Sequence, residues 1–155
     1  MAQPSVVPNA AVKAAELLID VLSDTYVLAV KTHGYHWNVT GPLFPQLHKM
    51  FGEQYEELIE AADSIAERIR GLDLPVSGSM ESFLANSEIN EATRPPGSAA
   101  DMIKDLLESH EILRKRAAKA SDDLADIDDV ASEDLMIERL RYHDKVIWML
   151  RSQVV

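Results

Sequence analysis

Residues 33–48 read His33-Gly-Tyr-His36-Trp37-Asn38-Val-Thr-Gly41-Pro42-Leu-Phe-Pro-Gln-Leu-His48, and a long run of helical period follows that contains Asp63-Ser-Ile-Ala-Glu67. The Gly41-Pro42 pair interrupts the helical pattern between the two histidines, because proline lacks an N–H and glycine favours turns. His36 and His48 therefore sit on different helices. Asp63 and Glu67 are four residues apart and share one helix face. Each of the four side chains can reach a metal ion, but no single helix presents them all. The arrangement points to metal chemistry, with iron as the leading candidate, and to a site shared between subunits.

Working outward, Asn9 is placed to cap a first helix that runs to about Asn38, with Leu17, Leu18, Val21, Leu22, Leu28 and Val30 near helical period. At the α-helical rise it would be about 45 Å long. A second helix spans Pro45 to Arg70, with Leu47, Phe51, Tyr55, Leu58, Ala62, Ile65 and Ile69 as its core stripe and Gly71 as its C-cap. Residues 72–97 are irregular, with Pro75, Gly78, Pro95, Pro96 and Gly97, and a short helix at Met80–Ala85 lies inside them. Ser98 caps a third helix ending near Ala120, and a fourth starts near Ser132 and carries Met136, Leu140, Ile147 and Leu150. A tail, 1–8, is kept out of helix by Pro4 and Pro8. The rest, 9–155, is expected to be one domain. Four long amphipathic helices with a single long middle crossover predict an all-α, four-helix bundle of ferritin-like connectivity.

Composition narrows the function. The 155 residues are 46% apolar and 26% charged, which fits a globular chain with a sizeable core. A net charge of −11 disfavours nucleic acid and anionic membranes as partners. There is no cysteine, so disulfides and thiolate metal sites are excluded. No apolar run approaches the roughly 20 residues that span a bilayer. No signal peptide is apparent, and a cytoplasmic location is expected.

Stepping by four and three along the second helix gives one row: His48, Gly52, Glu56, Glu60, Asp63 and Glu67. This row flanks the apolar stripe, where a side chain is held by packing yet reached by solvent. Imidazole with carboxylate suits Fe, Mn or Zn. Di-iron bundles usually carry Glu-x-x-His on each of two helices. Here no histidine has a glutamate three residues before it, so that site inside the bundle is absent. His110 and His143 lie among charges on long helices and read as solvent-facing, and Arg114-Lys-Arg116 reads as a surface patch.

The stretch H-W-N-V-x-G-P-x-F-x-x-L-H-K-M-F, followed by D-S-I-A-E-R, resembles the Dps family of mini-ferritins. G-L-D-L-P-V-S-G-S after the second helix and E-R-L-R-Y-H-D-K-V-I-W-M-L-R-S in the last helix extend the resemblance over nearly the whole chain. It implies a homododecameric cage that oxidises Fe²⁺, preferably with hydrogen peroxide, and stores the ferric product. It also implies a ferroxidase site at a two-fold interface, with His36 and His48 from one subunit and Asp63 and Glu67 from its partner. Zn and Mn are the expected competitors for that site. The family often has Asp or Glu at the position of Gly52, and glycine offers no ligand, which puts the second iron position in doubt. A cage that only sequesters iron is therefore an alternative. Acidic residues before the fourth helix are implied to line a three-fold pore, with Asp129 and Asp134 favoured among Asp122, Asp123, Asp126 and Asp128. A DNA-compacting role is a further alternative; without a basic tail, DNA binding is expected to be weak or absent.

Overall fold

The computed structural model describes residues 7–92 and 97–154. Most of the tail 1–8 and the two prolines at 95 and 96 lie outside them. Five helices follow in order: α1 (Asn9–Asn38), α2 (Phe44–Gly71), α3 (Met80–Asn86), α4 (Ala99–Ala125) and α5 (Val130–Arg151). No strand occurs among the described residues. α1 lies along α2 and α4 along α5. The two pairs join chiefly through α1 against α4, while α2 and α5 touch little. This is the expected ferritin-like bundle, with α3 carried in the crossover.

Each helix buries one stripe. On α1 it is Ala14, Leu18, Val21, Thr25, Leu28, Thr32 and Tyr35, spaced by threes and fours. On α2 it is Leu47, Phe51, Gln54, Leu58, Ala62, Ile65 and Ile69. Gln54 thus takes the core position assigned above to Tyr55, which is half-buried and stacks on His33 with ring centroids 3.7 Å apart. Val30, placed with the core by its period, is exposed.

Several helix boundaries differ from expectation. Gly71, expected to cap α2, is its last helical residue, and Leu72 occupies the C-cap. Asn9 is the first helical residue and no side chain caps α1; Pro8 occupies the N-cap. α4 runs to Ala125 rather than Ala120. α5 begins at Val130, because Asp129 accepts a hydrogen bond from the Ser132 N–H and so nucleates the helix earlier. Ser98 caps α4 as predicted, accepting from the Asp101 N–H at 3.1 Å. Between α4 and α5 the chain turns at Asp128, in the left-handed region at φ 57°.

The crossover is tied down by charge. Arg116 donates to Asp24 at 3.1 Å and to the Asn86 carbonyl at 2.8 Å, and it pairs with Asp20 at 3.1 Å. The fully buried Asp24 accepts in turn from the Ser87 hydroxyl and the Glu88 N–H. Arg116 is therefore a clamp between α1, α4 and the segment after α3, not a surface patch. Its planar fork suits several carboxylates at once.

Candidate metal centre

His36 lies in the last turn of α1 and His48 in the first turns of α2. The last four carbonyls of a helix have no partner within it. One of these, the His36 carbonyl, accepts from His48 Nδ1 at 2.8 Å, and the His48 carbonyl accepts from His36 Nδ1 at 2.6 Å. A carbonyl only accepts, so both Nδ1 atoms carry hydrogen. In the neutral rings both Nε2 atoms then present a lone pair, the form that binds metal. The rings stack with centroids 3.8 Å apart and planes 17° from parallel. Lone pairs lie in the ring planes, so two near-parallel rings direct them side by side rather than onto one point.

Phe44 stacks behind His48 at 5.1 Å. Gly52, one turn beyond His48, faces His36: a Cβ there would meet the ring at 3.0 Å. Both histidines are half-buried, between core and solvent.

Asp63 and Glu67 are exposed on α2 and make no ion pair or hydrogen bond with any other described side chain. From His48 to Asp63 is 15 residues, or about 22 Å along the helix. Among the described residues no three His, Asp or Glu side chains gather within one chain to hold a metal. The structure thus joins the two histidines and leaves the two carboxylates apart from them. A complete ligand set needs a second source of oxygen donors.

The ferritin-like domain family matches residues 15–155. The DNA protection during starvation protein 2 of Bacillus anthracis is 32% identical over 137 residues, covering 88% of this chain and 93% of that one. The chain belongs to the Dps family. An uncharacterized low temperature-induced protein of Nostoc sp. is 39% identical and covers 88% of this chain and 76% of its own. The crystal structure of a Vibrio cholerae Dps protein, described as one of the ferritin-like diiron-carboxylate proteins, superposes with a TM-score of 0.92. It is 26% identical, and the match covers 99% of this chain and 100% of that one. Iron storage and protection is accordingly the general role of this Dps protein. No helix among the described residues is long and apolar enough to cross a membrane.

Two histidines of this Dps chain are not where their sequence neighbours suggested. His110 and His143 are fully buried between α4 and α5, with Nδ1 atoms 2.8 Å apart. Among the described residues neither Nε2 atom has a hydrogen-bond partner, nor do Arg139 Nε and the amide of Gln54. Burial, and then Arg139, pushes His110 down to about 3; burial, His110 and Arg139 hold His143 well below the ordinary imidazole range. Arg139 itself is buried and grips Glu57 with both terminal nitrogens. A guanidinium this close disfavours a metal cation at the pair. The signal was present in the sequence: Ile103, Leu106, His110, Leu113 and Ala117 form one stripe, and Met136, Arg139, His143, Val146 and Leu150 another.

Of the two favoured pore residues, Asp129 is engaged within its own chain. Arg68 donates to it at 2.8 Å, and Ser132 donates through both hydroxyl and N–H. Burial alone would raise its carboxyl, but these bonds and the Arg68 charge hold it below the usual range. Asp134 is exposed and has no such partner among the described residues.

Proposed function

We propose that this Dps protein is a ferroxidase whose centre is completed across a two-fold axis. His36 and His48 come from one subunit, and Asp63 and Glu67 from its mate, within a cage of twelve. The reading rests on the reciprocal Nδ1–carbonyl bonds, which fix both imidazoles and leave both Nε2 atoms free at a half-buried edge. A dyad makes isologous contacts, residue i to j and j to i. Two antiparallel copies of α2 therefore bring the histidine end of each beside the acidic end of the other, which spans the ~22 Å gap set by the helical rise. Exposed apolar side chains at that end, Trp37, Leu43 and Phe44, supply surface for such a contact.

Iron is the substrate. One Fe²⁺ binds through His36, Asp63 and Glu67, and a second binds near His48 with Glu67 as the bridge. Each gives one electron to hydrogen peroxide: two Fe²⁺, one H₂O₂ and two protons yield two Fe³⁺ and two waters. Two-electron reduction leaves no hydroxyl radical, and the ferric product is stored in the cavity. The chain's own part is to hold the imidazoles in one tautomer, with both Nε2 atoms turned away from the main-chain bonds. Acidic side chains such as Asp134 supply an entry route for Fe²⁺.

The test is peroxide-driven oxidation of Fe²⁺ by wild type, His36→Ala and Asp63→Ala. Both variants should be slowed about a hundredfold, the scale on which metal affinity depends on single ligand-shell groups. Equal rates in all three contradict the assignment. The absence of a carboxylate at Gly52 favours one second reading, a cage that binds Fe²⁺ without oxidising it. Saturable Fe²⁺ binding with no acceleration over the uncatalysed reaction would support that one instead.

A further inference from the structure

We infer that the polar heart of the bundle is a water-binding site: internal water, held by Gln54 of α2, His110 of α4 and Arg139 and His143 of α5, makes the second joint between the two helical hairpins. All four side chains are buried. Among the described residues, none of Gln54 Nε2 and Oε1, His110 Nε2, His143 Nε2 and Arg139 Nε has a hydrogen-bond partner. A buried polar atom left unpaired carries its full desolvation penalty. Native chains therefore pair nearly all such atoms, with protein or with ordered water.

The four side chains belong to one neighbourhood. The histidines meet through Nδ1 at 2.8 Å. Between centroids, the Tyr142 ring lies 6.3 Å from the His110 ring and 5.2 Å from that of His143. The Arg139 guanidinium sits 4.7 Å from the Tyr142 centroid. Tyr142 in turn shares with Gln54, Met50 and Val146 the wall of a groove of about 180 Å³ between α2 and α5. These two helices touch little, so side-chain packing does not close the seam. An internal water needs about 10–15 Å³ of accessible space and about two to four polar partners. The groove supplies the first, and the unpaired atoms supply the second.

The bonding pattern selects water over an ion. The Nδ1–Nδ1 contact requires one ring to carry its hydrogen on Nδ1 and the other on Nε2, so one free Nε2 accepts and the other donates. The Gln54 amide does both, and Arg139 Nε donates. A cation would face the donors and the guanidinium. An anion would face the lone pairs, and the Arg139 charge is already matched by Glu57. A small neutral molecule that both donates and accepts satisfies every atom. An apolar cavity stays dry, but this one is edged by polar groups. The site is separate from the proposed metal centre: Gln54 is two residues past Gly52, about 200° round α2 from it.

The experiment is crystallography of the assembled protein at a resolution that shows ordered water. A second crystal is held under xenon pressure, and a third is of Gln54→Leu. We expect wild type to show water within about 2.7–3.2 Å of the Gln54 amide and of at least one histidine Nε2. Xenon, which enters dry apolar cavities, should stay out. Gln54→Leu should lose the water beside residue 54. Wild-type crystals with no water at these atoms overturn the inference. So does xenon lodged between α2 and α5, or an amide and Nε2 atoms found bonded to protein groups instead. A water that persists unmoved beside Leu at 54 also overturns it, since Gln54 would not be what binds it. The wild-type crystals decide the matter even if Gln54→Leu fails to assemble.

Discussion

Two histidine pairs, one in each helical hairpin, put the same side chains to opposite uses. His36 and His48 join α1 to α2; His110 and His143 join α4 to α5. The first pair turns both Nδ1 atoms onto main-chain carbonyls and keeps both Nε2 atoms for solvent or metal. The second pair turns its Nδ1 atoms on each other, so one ring must be protonated at Nδ1 and the other at Nε2. Its Nε2 atoms are buried and have no partner among the described residues. Both pairs fasten two helices; what each Nδ1 is bonded to decides which nitrogens are left for another ligand.

The largest effect that would sharpen this contrast is on stability. His110→Ala opens a cavity beside an orphaned buried imidazole and should cost about 3–5 kcal/mol, read as a large fall in thermal midpoint. His36→Ala should leave that midpoint nearly unchanged while slowing Fe²⁺ oxidation about a hundredfold. If the two variants behave alike in the melt, the division of labour between the pairs is wrong.

Acid gives the next effect. The folded chain holds His110 and His143 neutral, whereas the unfolded chain protonates them near the ordinary value of 6.5. Their contribution is fully present above that value and is lost as pH falls from 6.5 towards about 3. His110 loses stability across that window, and His143 acts in the same direction. Tyr142, Arg139 and Glu57 surround the pair, and Arg139 works against protonation. Unfolding measured between pH 7 and 4.5 should steepen below 6.5 in wild type and flatten in a His110→Phe/His143→Phe protein. An unaltered pH profile in the double variant would remove the buried pair from the account.

How much of this was legible beforehand depended on the kind of information involved. The bundle was legible because hydrophobic period and turn residues are local: Asn38 ends α1, Ser98 caps α4, and α3 sits in the crossover. The His36–His48 pairing was partly legible from the Gly41-Pro42 break, but the reciprocal bonds to main-chain carbonyls depend on how two helices meet. The burial of His110 and His143 is masked in the sequence by the charged residues that flank them, although each lies on an apolar stripe. Arg116 and Asp24 were hidden for a related reason: a buried ion pair spans 92 residues of sequence and leaves no local signature. Gly52 reads in the sequence as a missing ligand, and the approach of the His36 ring to it leaves no local signature.

Smaller effects complete the series. Asp129→Ala removes the cap of α5 and the Arg68 pair, and should cost about 1 kcal/mol, seen as a modest drop in midpoint with Fe²⁺ binding intact. A midpoint equal to wild type would mean the cap contributes nothing. With a net charge of −11, plasmid DNA should show no mobility shift at moderate salt. A clear shift would show a basic surface that the charge balance conceals.

Subunit mixing tests the central claim most directly. Assemblies of His36→Ala or of Asp63→Ala subunits alone are each about a hundredfold slower than wild type. Random co-assembly places an intact histidine set opposite an intact acidic set in about a quarter of the sites, as two-fold symmetry requires. Peroxide-driven Fe²⁺ oxidation should therefore return to about a quarter of the wild-type rate in the mixture. A mixture that assembles fully and stays as inactive as its parents would show that each subunit builds its centre alone.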